Sequence, residues 1–188
     1  PAKGTPAGTL WKKHSFVFSK DRGGAQILIT DVNGDGKNDV VTAMNAHGWG
    51  LSWFAQARDA QGAITFKEHR IMGTREEEAT FGVAFSQPHA LTLADLDGDG
   101  LPDIVTGKRR WAHGPKGDVE PMATPVNYAF LLRRDAKTDG GAKFVPKLID
   151  DASALGTQVV ATDVNGDQVP DVLTASKLGT FVFLTKRK

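Results

Sequence analysis

The chain has 188 residues, 40% hydrophobic and 24% charged, which is enough apolar material for one domain with a sizeable core. No apolar run is long enough to span a membrane as a helix, and zero cysteines exclude a disulfide scaffold and any thiolate chemistry. The formal charge of +1 hides an asymmetry, because ten of the 22 acidic residues fall within Asp31–Asp39, Asp95–Asp103 and Asp163–Asp171, alongside one basic residue, Lys37. The rest of the chain then carries 22 basic and 12 acidic residues, and acids so concentrated call for a positive charge among them.

No basic and apolar leader is read at the start, so Pro1 is taken as a mature or an artificially cut terminus. Twenty-one glycines and nine prolines, spread along the chain, predict many turns and short strands. The first predicted element is a strand within residues 9–18, built on Trp11-Lys12-Lys13-His14-Ser15-Phe16. Then comes QILITDVNGDGKNDVVTA from Gln26, which aligns without gaps with ALTLADLDGDGLPDIVTG from Ala90 and QVVATDVNGDQVPDVLTA from Gln158. In each, an acidic loop joins two β-branched runs, giving a strand–loop–strand unit. Third strands follow at Gly50–Phe54, Asn127–Leu131 and Phe181–Leu184. Fourth strands follow at Phe66–Ile71 and Phe144–Ile149. Four strands per unit without helical periodicity, repeating every 64 and 68 residues, predict an all-β fold of β-propeller blades.

The third unit lacks a fourth strand, and Trp11–Phe16 matches Phe66–Ile71 position by position. The expected organisation is a single propeller domain or segment over 1–188, with blades near 19–71, 72–149 and 150–188 plus the strand at 9–18. Three blades fall below the usual minimum of about four. The segment is therefore expected either to be part of a larger propeller or to self-associate as a homodimer, half of a six-bladed ring.

Each acidic loop reads D-x-[DN]-x-D-x-x-x-D. The candidate metal ligands are Asp31, Asn33, Asp35, Lys37 and Asp39; Asp95, Asp97, Asp99, Leu101 and Asp103; and Asp163, Asn165, Asp167, Val169 and Asp171. The seventh residue (Lys37, Leu101, Val169) would contribute its carbonyl. Hard oxygen donors in this number suit Ca²⁺, and two or three ions per chain are expected. Gly36 and Gly100 provide the sharp turn at the sixth position, where the third loop has Gln168. The plain alternative is an Asp/Asn/Gly-rich β-turn without metal.

DVNGDGKNDVV, DLDGDGLPDIV and DVNGDQVPDVL resemble the FG-GAP or VCBS repeats of integrin-type calcium-binding β-propellers, and the resemblance extends over nearly the whole chain. With AHGWGLSWF, FSQPHALTLADLDGDG and GTQVVATDVNGD, the chain is similar to secreted repeat proteins of environmental bacteria. The resemblance implies structural Ca²⁺ between first and second strands. The Gly-Ala-Pro that names the repeat is absent, so an integrin-like ligand role is not carried over.

Strand direction puts the acidic loops on one face and the long, varied connections on the other, where binding or catalysis usually resides. That second face carries His47, Trp49, His89, Arg110, Trp111 and His113 as candidate ligand-binding residues, with Asp150 or Asp151 as further metal partners. Three histidines with an open position would be a catalytic zinc site in kind. The alternative is that each bonds a loop backbone. Trp49 and Trp111 could stack a sugar, Trp53 is expected in the core, and His14 and His69 are read as structural. Lys108-Arg109-Arg110 and Lys186-Arg187-Lys188 are read as solvated surface, and no nucleic-acid motif accompanies them. The expected function is a secreted or periplasmic, calcium-stabilised binding module for carbohydrate or protein, with no catalytic residue assigned. The competing expectation is a sugar-processing lyase or dehydratase using the histidine face.

Overall fold

The computed structural model describes residues 14, 16–20 and 22–187. Eleven strands lie in three antiparallel meanders among these residues. The first sheet holds β1 (Ile27–Thr30), β2 (Asp39–Ala43), β3 (Leu51–Arg58) and β4 (Ile64–Met72) in sequence order. The second holds β5 (Pro88–Ala94), β6 (Asp103–Lys108), β7 (Asn127–Arg134) and β8 (Ala142–Asp150). The third holds β9 (Val159–Thr162), β10 (Asp171–Ser176) and β11 (Gly179–Phe183). The fold is all-β, and its sheets are those of propeller blades.

Second strands are the most buried, since they sit inside each sheet with neighbours on both faces; β2 and β6 have no exposed residue. One apolar cluster joins the first and second blades through Val41, Trp53, Ile71, Phe85, Leu91, Ile104 and Phe130. A smaller one joins the second and third through Ala90, Val105, Ala129, Leu155, Val159 and Val172. The blades are also tied by main-chain bonds near their inner ends, from Gln87 N to the Gly48 carbonyl and from Leu155 N to the Lys108 carbonyl. The turn into each blade uses a left-handed residue, Gly23, Gln87 or Ala154, which swings the chain from one sheet into the next.

One feature departs from the sequence expectation, and one expected element lies mostly outside the described residues. A 3₁₀ turn (Arg75–Glu77) runs into a four-residue helix, α1 (Glu78–Phe81), between the first two blades. The N-terminal strand lies mostly outside the described residues, and Phe16, which is described, is not in a strand. Phe16 and Phe18 pack instead on the open side of the first blade, with ring centroids 6.3 and 5.0 Å from Phe54 and 5.1 and 5.0 Å from Phe66. Within the described chain, then, Phe16 meets the first blade rather than β11.

Candidate functional site

The acidic loops fold almost identically because their first and ninth aspartates organise the backbone. In the first loop the Asp31 carboxylate accepts the Gly34, Asp35 and Gly36 N–H groups. Asp95 accepts those of Gly98 and Gly100, and Asp163 those of Asn165, Gly166 and Gln168. Gly36, Gly100 and Gln168 share a left-handed conformation with φ of 80°, 81° and 66°. Gln168 therefore holds a glycine conformation with a full side chain.

The ninth aspartates are wholly buried and act as internal staples. One oxygen of Asp39 accepts Val32 N at 3.0 Å and the other accepts Gln56 N at 2.9 Å. Asp103 repeats this with Leu96 and Leu132, and Asp171 with Val164 and Thr185. Asp39 and Asp103 thus tie their loops to β3 and β7, and Asp171 ties its loop to the chain just past β11. Burial pushes the Asp103 carboxyl up to about 6, against the opposing pull of those two N–H groups.

In the second loop one oxygen from each of Asp95, Asp97 and Asp99 lies within 4.8 Å of the others. Hard, convergent oxygens of this kind fit a calcium ion, and these three residues would hold it. Protein cations also lie at the loops. Arg133 pairs with both Asp97 and Asp99, and Lys37 with Asp35 at 2.8 Å. The expectation of positive charge among the acids is thus met in part by the chain itself.

On the opposite face the structure brings the three predicted histidines together. The His47 ring lies 4.8 Å from that of His113 and 5.9 Å from that of His89. His113 Nδ1 lies 3.0 Å from Asp118 Oδ1, whose side chain is fully shielded, while the other Asp118 oxygen accepts His113 N. Ligand atoms of His47, His113 and Asp118 lie within 4.8 Å of one another. Burial holds His47 and His89 below the usual histidine value, reinforced at His47 by His113 and at His89 by Arg109. Nδ1 of each is buried and lacks a hydrogen-bond partner among the described residues. The loop-backbone alternative therefore fails for those two ring atoms. The cluster offers convergent imidazole rings, one of them oriented by Asp118, to a polar ligand.

Asp118 was not among the sequence candidates; Asp150 and Asp151 were. The signal was the Gly-Pro-Lys-Gly stretch after His113, a turn that returns the chain so that Asp118 meets it. Asp150 instead accepts the N–H of Ala152. The tryptophans are less open than a sugar platform requires. Arg75 covers one face of Trp49 at 5.4 Å, and Arg110 covers Trp111 at 4.9 Å, while the Trp111 indole N–H donates to the Pro121 carbonyl. Trp53 is in the core, stacked on buried His69 at 4.5 Å.

Lys108 corrects the reading of its tripeptide as solvated surface. It ends the interior strand β6, is 1% exposed, and donates from Nζ to Ser86 Oγ at 2.6 Å. Burial lowers its pKa to about 8. It sits beneath the segment carrying Asp118 and Glu120, both of which act electrostatically on it.

The family model described as FG-GAP-like repeat matches residues 31–106. The match runs from the first aspartate of the first loop through most of β6, covering one complete repeat interval. It supports the FG-GAP/VCBS repeat family. With the blade topology, an FG-GAP repeat suggests a β-propeller interaction module.

Proposed function

We propose that the chain is a calcium-stabilised propeller module that binds a carbohydrate or protein ligand on the face carrying His47, His89, His113 and Asp118. The observation that carries this reading is the division of labour between faces: three near-identical oxygen-rich loops on one, and a convergent, under-bonded histidine cluster on the other. In the loops, Ca²⁺ would offset carboxylate repulsion and lock the turns; it would do no chemistry. Millimolar extracellular calcium and the absence of cysteine agree with a secreted or periplasmic setting. A glycan array and a panel of extracellular proteins, probed with wild type and with His47→Ala/His113→Ala, test the ligand face. Binding that the double variant abolishes supports the reading, whereas binding indifferent to it moves the site elsewhere.

A second reading, sugar lyase or dehydratase chemistry, has one favourable observation: His113 paired to Asp118 beside His47 is an arrangement suited to proton transfer. Turnover of a sugar derivative, lost in His113→Ala, would select it.

A further inference from the structure

One arginine recurs at the same place in all three blades, two residues past the residue whose N–H meets the buried ninth aspartate: Arg58 after Gln56, Arg134 after Leu132, Arg187 after Thr185. In the second blade it reaches back to the first. Arg134 donates to the Asp31 and Val32 carbonyls at 2.8 and 3.2 Å, and its guanidinium lies over Gly34, where a Cβ would come within 3.0 Å. In the third blade it reaches back to the second. Arg187 donates to the Asp95 carbonyl at 2.7 Å and lies over Gly98, where a Cβ would come within 3.1 Å. Each blade thus clamps the acidic loop of the blade before it, and the loop glycine is the seat.

At the two ends of the array the halves of this clamp are separated. Arg58 is exposed and donates only to its own turn, at the Gly62 carbonyl, among the bonds of the described residues. Gly166, the third-loop counterpart of Gly34 and Gly98, has nothing over it within 4 Å among the described residues. The surrounding sheet faces are likewise uncovered. Val164 is 46% exposed where Val32 and Leu96 are buried, and Val182 is 52% exposed where its counterparts Trp53 and Ala129 are buried. On the first blade Ile27 is 58% exposed where its counterpart Leu91 is buried. One end therefore offers an arginine with an apolar sheet face, and the other offers the loop seat with the matching face.

We propose that a second copy of the chain joins these ends: the third blade of one copy packs on the first blade of the other, with Arg58 clamping the Asp163 and Val164 carbonyls over Gly166. Repetition about a two-fold axis uses every free half and gives six blades, within the common range. The pairing rests on the blade repeat and not on calcium or a ligand, so failure of either leaves it standing.

Sedimentation equilibrium of the full chain, run with calcium and with chelator, tests the pairing. The expected species has twice the 20.1 kDa chain mass. Arg58→Ala should weaken dimerisation at least tenfold, as loss of a buried arginine anchor does at an interface. Val182→Glu should do the same from the opposite end. Both positions are exposed in the single chain, and near-ultraviolet circular dichroism confirms that the variants remain folded. A folded wild-type monomer at about 100 micromolar, which would put Kd above that concentration, overturns the proposal. So does a dimer indifferent to both variants.

Discussion

Gln168 stands where the first two loops have Gly36 and Gly100, and its φ of 66° is a conformation that costs a residue with a Cβ about 1–2 kcal/mol. Replacing it by glycine removes that strain but adds backbone freedom to the unfolded chain, worth about 0.5–1 kcal/mol in the other direction. Gln168→Gly should therefore stabilise the protein by a net of about 0.5–1 kcal/mol, read as a rise of about 1–4 °C in Tm. A lower Tm would mean that the glutamine side chain makes a contact worth more than the strain. Lys108 is strained electrostatically rather than conformationally. Burial depresses its pKa from 10.5 to about 8, so the folded state resists protonation that the unfolded chain accepts freely. Between those values the unfolded state binds more protons, and stability rises with pH; below about pH 8 the full penalty is present. Denaturant unfolding of wild type and Lys108→Met at pH 7 and pH 9.5 isolates the effect, because methionine does not titrate. Wild type should gain on the variant at the higher pH, and a constant difference would mean that Lys108 is solvated after all.

At the scale of the element, the blade was legible because three gapless copies fix which residues alternate inward, and the acidic loops mark where first and second strands meet. Strand ends were less so: β3 runs on to Arg58 and β4 begins at Ile64, since a twisted hairpin carries polar residues well beyond the core. The 3₁₀ turn and α1 were missed although Thr74-x-x-Glu77 is a capping box, with Glu77 accepting the Thr74 N–H. Four helical residues are too few to show a period. Asp118 and Lys108 were missed or misread for a related reason: a loop's return path and a strand's last buried residue are tertiary facts. The loops also hold cations that spacing could not reveal. Arg133, on β7, is held by Asp97 and Asp99, two of the carboxylates that would bind calcium in the second loop. Ion and guanidinium then contend for the same oxygens. Arg133→Gln should tighten calcium binding at the second loop by about three- to tenfold, as removing one nearby surface charge is worth about 1 kcal/mol in screened solvent. Calorimetric titration of the two proteins distinguishes this from the alternative, in which Arg133 orders the loop and its loss weakens binding.

Across the whole molecule the three loops share one face, so their charge acts collectively on the fold. Each loop is pinned by a buried aspartate to its third strand or to the residues just past it, and the first two are also clamped by the arginine of the following blade. An ion bound at a loop therefore stabilises not only a turn but the sheet behind it and, through Arg134 or Arg187, the junction between blades. An ion that binds only the folded state adds RT ln(1 + [L]/Kd), about 2.7 kcal/mol per site at a hundredfold excess over Kd. Under the proposed calcium reading, exhaustive chelation should lower Tm, and Ca²⁺ should restore it better than Mg²⁺, which demands a smaller octahedral shell. The loops should not contribute equally. The second has three carboxylates within 4.8 Å, whereas Asn33 and Asn165 leave the other two one charge poorer, and the third also bears the Gln168 strain. Asp99→Ala should accordingly remove more of the calcium-dependent rise in Tm than Asp167→Ala. Equal losses would place the stabilising ion outside the second loop, and a melting curve unmoved by chelation would mean that the arginines and Lys37 alone balance the acids.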